Sequence, residues 1–244
     1  MTVRMQKYLA QCGVCSRREA ERASVAGRVC VNGEQALHPG HPVDPLTDTV
    51  TFDGKEVRAA VTMTVLMHKP VGCLTSRTDP EKRPTIYGLL PSDLHHLRYV
   101  GRLDYNTSGV LLLTSEGDLN FRLTRPEFQI ERIYEVKVRG MVSKGQLQQL
   151  CDGFMVDGEF LSAKSARVVR VLQSNSLLHM TLVEGKNREV RRLLAELNLQ
   201  VVRLSRITMA GISVTGLEPG QWRELTGTEL ESLRNQCGLT PGGS

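Results

Sequence analysis

The run Val110-Leu111-Leu112-Leu113 constrains this chain more than any other feature. Four consecutive apolar residues between turn signals read as a strand buried in a core. Ser115-Glu116-Gly117-Asp118 is the turn that closes it. Ahead of it lies a short polar segment with Arg102, Asp104, Asn106, Thr107, Ser108 and Gly109. Asp104 is therefore a lone carboxylate on a loop that enters a core strand. Loops held by a rigid scaffold are where catalytic side chains concentrate. An Asp-x-Asn-Thr-Ser-Gly segment is equally the pattern of a turn bonded to its own backbone. Spacing alone leaves these two readings level.

With 244 residues the chain can form one large domain or two unequal ones. Its net charge of +5 suits a polyanionic partner. No apolar run reaches the length of a bilayer span. The opening residues, MTVRMQKYLAQC, mix charges into their apolar pattern and form no signal-peptide core. A cytoplasmic protein without membrane attachment is the expectation. In that compartment Cys12, Cys15, Cys30, Cys73, Cys151 and Cys237 stay reduced. Cys12 and Cys15 have the spacing of half a zinc site, but no second close pair follows, so no metal is expected. A single tryptophan, Trp222, leaves no large aromatic platform for nucleic-acid bases.

Residues Arg4 to Ala10 carry a helical pattern with Met5, Tyr8 and Leu9 on one face. Ser16-Arg17-Arg18-Glu19 reads as a capping box opening a second helix, which Gly27 stops near Ala26. Asn32-Gly33 predicts a hairpin after Arg28–Val31, and Asp53-Gly54 a second turn. Short strands are expected near Val43 and over 48–52, and 55–62 reads as a linker or exposed strand end. Two helices and a small sheet with Arg4, Lys7, Arg17, Arg18, Arg22 and Arg28 resemble the αL RNA-binding motif named after a small-subunit ribosomal protein. The resemblance lies in KYLAQCGVCSRREAE and AGRVCVNG. It implies that these cations neutralise phosphates and position RNA without reading its sequence. A solvated helix face, with Glu19 and Glu21 among the cations, is the plainer alternative.

In the remainder, Thr64–Met67, Glu131–Val138, Lys164–Val171, Leu177–Val183 and Val201–Ile207 read as strands. Residues 147–150, the stretch after Asn187 and 228–237 read as helices, the second with Val190, Leu193, Leu194 and Leu197 on its apolar face. Arg77 to Pro84 is a polar loop. In the strictly alternating 131–138 strand, Tyr134 shares a side with Val136 and Val138, which by spacing makes it a core tyrosine. Lys186, Asn187 and Arg188 crowd a helix start, where cations oppose the dipole and an external anion would compensate.

Three ordered segments resemble motifs of the ribosomal pseudouridine synthases of the RsuA family. They are HKPVG (68–72), GRLDYNTSGVLLLTSEGDL (101–119) and EGKNREVRRLL (184–194); His68 stands where the family often has Asn. LEPGQWRELT (217–226) resembles the family's closing segment. The resemblance implies an α+β protein of three parts. A small αL-type RNA-binding domain spans 1–60. A larger pseudouridine-synthase domain over 61–236 follows, on a mixed, mostly antiparallel sheet with flanking helices and a catalytic cleft. A disordered tail closes the chain over 237–244.

It also implies Asp104 as the catalytic carboxylate, Arg191 as its paired cation, and Tyr134 beneath the target base. Arg102 helps displace the base from its stack, while Lys69, Lys186, Asn187 and Arg188 touch RNA, Lys69 also supporting the loop near the cleft. The implied partners are ribosomal RNA and a ribosomal subunit or assembly intermediate, met by a monomer that uses no cofactor. The large subunit is favoured. A non-catalytic RNA-binding assembly factor is the alternative. An RNA hydrolase is disfavoured, because no second acidic residue or metal cluster stands ready for paired acid–base work.

Overall fold

The computed structural model describes residues 2–58 and 62–239. They form two compact units, Met1–Met63 with Ser115–Gly117, and Thr64–Thr114 with Asp118–Ser244.

The first unit runs β1 (Val3–Arg4), α1 (Met5–Gln11), α2 (Arg17–Val25), β2 (Val29–Val31), β3 (Glu34–Gln35), β4 (Pro42–Val43), β5 (Val50–Phe52) and β6 (Lys55–Val57). Strand β1 pairs with β4, and the other four form an antiparallel sheet in the order β3-β2-β5-β6. Met5, Tyr8 and Leu9 are buried, as their spacing predicts, against Ala20, Ala23, Val29 and Val50. Burying a side chain the size of Met5, Leu9, Val29 or Val50 stabilises the fold by about 1.5–3 kcal/mol. The Tyr8 hydroxyl donates to the Val57 carbonyl at 3.1 Å. Both turn dipeptides adopt the left-handed conformation that a two-residue hairpin needs, with φ of 52° and 86° at Asn32-Gly33 and 49° and 74° at Asp53-Gly54. The capping box at Ser16 is only half formed: its hydroxyl accepts from the Glu19 N–H at 3.2 Å, without a return bond from the Glu19 side chain. Part of the expected linker, Lys55–Val57, is strand β6. Residues 59–61 lie outside the described residues.

The second unit is built on a nine-stranded sheet. Its strands are β7 (Thr64–Lys69), β8 (Arg98–Tyr99), β9 (Ser108–Thr114), β10 (Arg132–Arg139), β13 (Ser165–Leu172), β14 (Asn175–Leu182), β15 (Val201–Met209), β16 (Ile212–Ser213) and β17 (Trp222–Glu224). A separate hairpin holds β11 (Phe154–Val156) and β12 (Glu159–Leu161). The helices are α3 (Gly117–Thr124), α4 (Lys144–Asp152), α5 (Glu189–Glu196) and α6 (Gly227–Gln236). The main path runs β13-β14-β10-β15-β9-β7-β17, with β16 beside β15 and β8 beside β9. Every pairing is antiparallel except β15 with β9.

Val110 to Leu113 are fully buried in β9. A strand covered on both faces needs no polar alternation, which is why it reads as a continuous apolar run. One cluster packs α4 and α5, through Leu150, Val190, Leu193 and Leu194, against Val136, Val138 and Leu178. The other packs α3 and α6, through Leu119, Leu123 and Leu233, against Val110 and Leu112. Two helices depart from the sequence reading. Gly117 already starts α3, so the turn after β9 is shorter than expected. Cys237 is no part of a tail: it caps α6 and is buried, and Leu239 packs on the same cluster. Residues 240–244 lie outside the described residues.

Candidate active site

The seam between β15 and β9 is where the site begins. Ser205 pairs with Ser108 and Arg206 with Gly109. Gly109 has φ +111°, and a Cβ there would stand 2.1 Å from the Arg206 carbonyl oxygen. Only glycine allows the two backbones to approach this closely.

The loop that leads into β9 is held by a buried cation. Lys69 is fully enclosed, and its ammonium donates to the carbonyls of Pro70 (3.0 Å), Asp104 (3.1 Å) and Thr107 (2.9 Å). Burial pushes its pKa down to about 8, while nearby Cys73 and Asp104 pull it up. At neutral pH it is charged and all three of its donors are used. Lys69 is thus the loop's support and not a residue that RNA can touch, which corrects the expectation that it contacts RNA. Thr75 adds a second clasp, its hydroxyl donating to the Leu103 carbonyl at 2.9 Å and accepting from the Leu103 N–H at 3.2 Å. The Gly72 N–H donates to the Tyr105 carbonyl at 2.9 Å.

Asp104 emerges from this loop with its side chain 34 % exposed, at a cleft enclosing about 650 Å³ with its open mouth included. Around it stand Arg102, Thr107, Arg132, Tyr134, Leu182, Glu184, Lys186, Arg188, Glu189, Arg191, Leu204 and Arg206, among others. Among the described residues the cation within ion-pair distance of the carboxylate is Arg188, at 3.7 Å, where Arg191 was expected. Arg191 instead donates from Nη2 to the Asn106 carbonyl at 2.9 Å, bracing the same loop. Burial and the neighbouring Arg188 pull its guanidinium below the ordinary value, and Asp104 pulls the other way. The carboxylate therefore has two cations beside it, one facing it and one reaching past it.

Tyr134 is half-buried and packs on the cluster that holds Val136 while lining the cleft. Arg102, Asn187 and Arg188 are exposed. Lys186 pairs with Glu184 and donates to the Phe160 carbonyl at 2.6 Å. The cations do stand at the helix start, with Arg188 as the cap of α5, but the compensating anion comes from within the chain, at Glu189. Its carboxylate accepts from the N–H groups of Gly185 (3.0 Å) and Lys186 (3.2 Å). Burial raises its pKa, and those two N–H groups oppose the shift.

Sequence reading missed Arg132 and Arg206. Both are buried, and each would have been visible as an arginine in phase with core residues, Arg132 with Tyr134 and Val136, Arg206 with Leu204. Arg132 donates to the carbonyls of Ile130 (3.0 Å), Val183 (2.7 Å) and Leu123 (2.9 Å). In the first unit Arg4, Arg17, Arg18, Arg22 and Arg28 are exposed and Lys7 is half-buried. Arg28 is paired with Asp53.

Residues 63–196 match the RNA pseudouridylate synthase family, and residues 3–50 match the S4 domain. An RNA pseudouridine synthase of Aquifex aeolicus is 38 % identical over 98 % of this chain and 96 % of its own length. The ribosomal large subunit pseudouridine synthase B of Pseudomonas aeruginosa is 38 % identical over 98 % of this chain, which spans 63 % of that protein. The enzyme of the same name in Bacillus subtilis is 32 % identical over 95 % of both chains. A crystal structure of a pseudouridylate synthase superposes with a TM-score of 0.66 at 28 % identity, covering 95 % of this chain and 99 % of that one. With an S4 domain ahead of a synthase unit, and matches of this length and identity, the chain belongs to the RsuA-like pseudouridine synthases, a family of isomerases.

Proposed function

We propose that this protein converts a specific uridine of ribosomal RNA to pseudouridine, that the uridine lies in the large subunit, and that Asp104 carries the chemistry. The observation that carries the reading is the position of Asp104. It stands on a loop fixed by Lys69, at the mouth of a cation-lined cleft, with Tyr134 in the same cleft. The names of the relatives from Pseudomonas aeruginosa and Bacillus subtilis support the large subunit.

The reaction breaks the N1–C1′ bond and forms C5–C1′. The C5 proton leaves and N1 gains one, so composition is unchanged and neither an electron acceptor nor a group donor is called for. An ionised carboxylate serves by attack on the ribose or the uracil, or as the base that takes a ribose proton. Tyr134 offers a planar face for a base turned out of its stack, and exposed Arg102 stands at the mouth to fill the gap left behind. Arg188 and Arg191 supply positive charge where an anionic carboxylate and RNA phosphates meet. Arg17, Arg18 and Arg22 on α2, with Arg4 and Lys7, supply sequence-independent phosphate contacts. The enzyme acts as a cytoplasmic monomer on the ribosomal subunit or its assembly intermediate. Among the described residues no helix is long and apolar enough to cross a membrane.

The test is to map pseudouridines in ribosomal RNA from cells with the wild-type protein, without it, and with Asp104→Asn. One large-subunit site should disappear in the second and third. Tritium release from 5-labelled uridine at the wild-type rate by the Asn variant would end the assignment.

A further inference from the structure

Among the described residues, buried side-chain atoms on Thr107, Glu189, Arg191 and Arg206 have no hydrogen-bond partner, and all four residues line the cleft. A buried polar atom left unpaired costs about 1–3 kcal/mol. Such atoms are rare enough that four at one cleft point to a ligand whose polar atoms complete them.

Arg206 is the largest side chain enclosed here, at 2 % exposure. Its Nε donates to the Val110 carbonyl at 2.8 Å, which fixes the plane of the guanidinium, while Nη2 donates to nothing. Lys69 and Arg132 each have three carbonyl acceptors; among the described residues Arg206 has one, the Val110 carbonyl, and no ion pair.

Register says what faces it. Arg206 pairs with Tyr134 on one side and with Gly109 on the other. Residues directly opposite on neighbouring strands share a sheet face. The row is therefore Tyr134, Arg206 and a position without a side chain, next to the Asp104 loop. A base lying on the Tyr134 ring turns one edge toward Arg206. Phosphates stay with the RNA chain at the mouth, near exposed Arg102 and Arg188. What reaches the floor of the cleft is the edge of the base. In uracil the exocyclic atoms on that ring are O2 and O4, both acceptors; cytosine replaces O4 with an amino donor.

We propose that Arg206 reads the target base, Nη2 donating to a carbonyl oxygen of the extruded uracil. This rests on the proposed function and names a specificity-determining residue within it.

The test uses a synthetic RNA hairpin carrying the mapped uridine, made with uridine, 2-thiouridine or 4-thiouridine at that position. Sulfur is a weak hydrogen-bond acceptor. For the wild-type protein, kcat/KM should fall about tenfold with sulfur at the contacted position and little at the other, which identifies O2 or O4. Arg206→Met should lose about tenfold on the uridine RNA and no more on the thio RNA, because both changes delete one bond. Losses that multiply at both positions indicate a merely structural arginine and overturn the proposal. So does a wild-type enzyme indifferent to both sulfurs, a comparison that needs no variant. Should Arg206→Met fail to fold by circular dichroism, Arg206→Lys takes its place under the same criteria. A wild-type protein that converts no uridine in ribosomal RNA refutes the proposed function itself, and this inference with it.

Discussion

The two units use basic residues in opposite ways. On α2 the guanidinium groups of Arg17, Arg18 and Arg22 stand in solvent, where neighbouring charges are screened. Around the Asp104 cleft, Lys69, Arg132 and Arg206 are buried, and the first two spend their hydrogens on main-chain carbonyls. A solvated cation attracts RNA at a distance and is one of several equivalents. A buried one sets the shape of the backbone it holds, and nothing nearby replaces it. Single substitutions should therefore be graded in one unit and severe in the other.

The largest effect belongs to Asp104, whose loop Lys69 holds. Asp104→Asn should lower conversion by on the order of 10³-fold or more and leave RNA affinity within about twofold, measured by tritium release and filter binding. A variant that binds poorly but still turns over would invert the division of labour between the units. Next comes the seam. Gly109→Ala forces a Cβ to 2.1 Å from a backbone oxygen at φ +111°, and should cost more than about 3 kcal/mol in urea denaturation.

Lys69→Met leaves three carbonyls without their donor and should cost about 2–4 kcal/mol. Its titration gives a sign that can be checked. With a folded pKa of about 8 against about 10.4 in the unfolded chain, the folded form binds fewer protons between those values. This group's contribution to stability therefore rises with pH across that window, and the cost of burying the charge is carried in full below pH 8. Above pH 8 the neutral amine has two hydrogens for three carbonyls, so kcat/KM should decline there while stability from this group does not. A parallel fall of both would remove the loop-holding role.

In the first unit, Arg17→Gln or Arg18→Gln should weaken RNA binding only a few-fold and reduce the salt slope by about one, with kcat unchanged. A tenfold loss of kcat from either would erase the contrast. Smallest is a pair outside the cleft, Arg223 with Glu229, joined at 2.7 Å. The arginine holds the Glu229 carboxyl down to about 2. Its stabilisation, about 1 kcal/mol after solvent screening, is complete above pH 4.5 and lost as pH falls toward 2. The melting difference between wild type and Arg223→Met should vanish across that range.

Local signals made most of the fold legible. Asn32-Gly33 and Asp53-Gly54 announce their hairpins, and Val110–Leu113 announces a strand covered on both sides. The capping boxes at Ser143/Gln146 and Thr226/Glu229 are complete, whereas the one read at Ser16 is half formed. A capping box is a side-chain geometry that residue types permit without dictating. The site was legible where its residues share a contiguous motif, as around Asp104. It was obscure where strands distant in the chain meet, because the register of β9, β10 and β15 sets Gly109, Arg206 and Tyr134 in one row. No spacing rule encodes that. The exchange between Arg188 and Arg191 has a related origin: the left-handed backbone at Arg188, φ 49°, accompanies the turn toward Asp104, and such a conformation leaves little trace in residue type.

The clasp on the Asp104 loop is made of peptide oxygens, those of Pro70, Asp104 and Thr107, with Asn106 contributing a fourth to Arg191. Every amino acid carries such an oxygen. The contour of the loop is thus insensitive to which letters occupy its outward positions, and Tyr105 and Asn106, both facing solvent, are free to diverge. A lineage could retune what this rim touches on a new RNA while Asp104 stays in place.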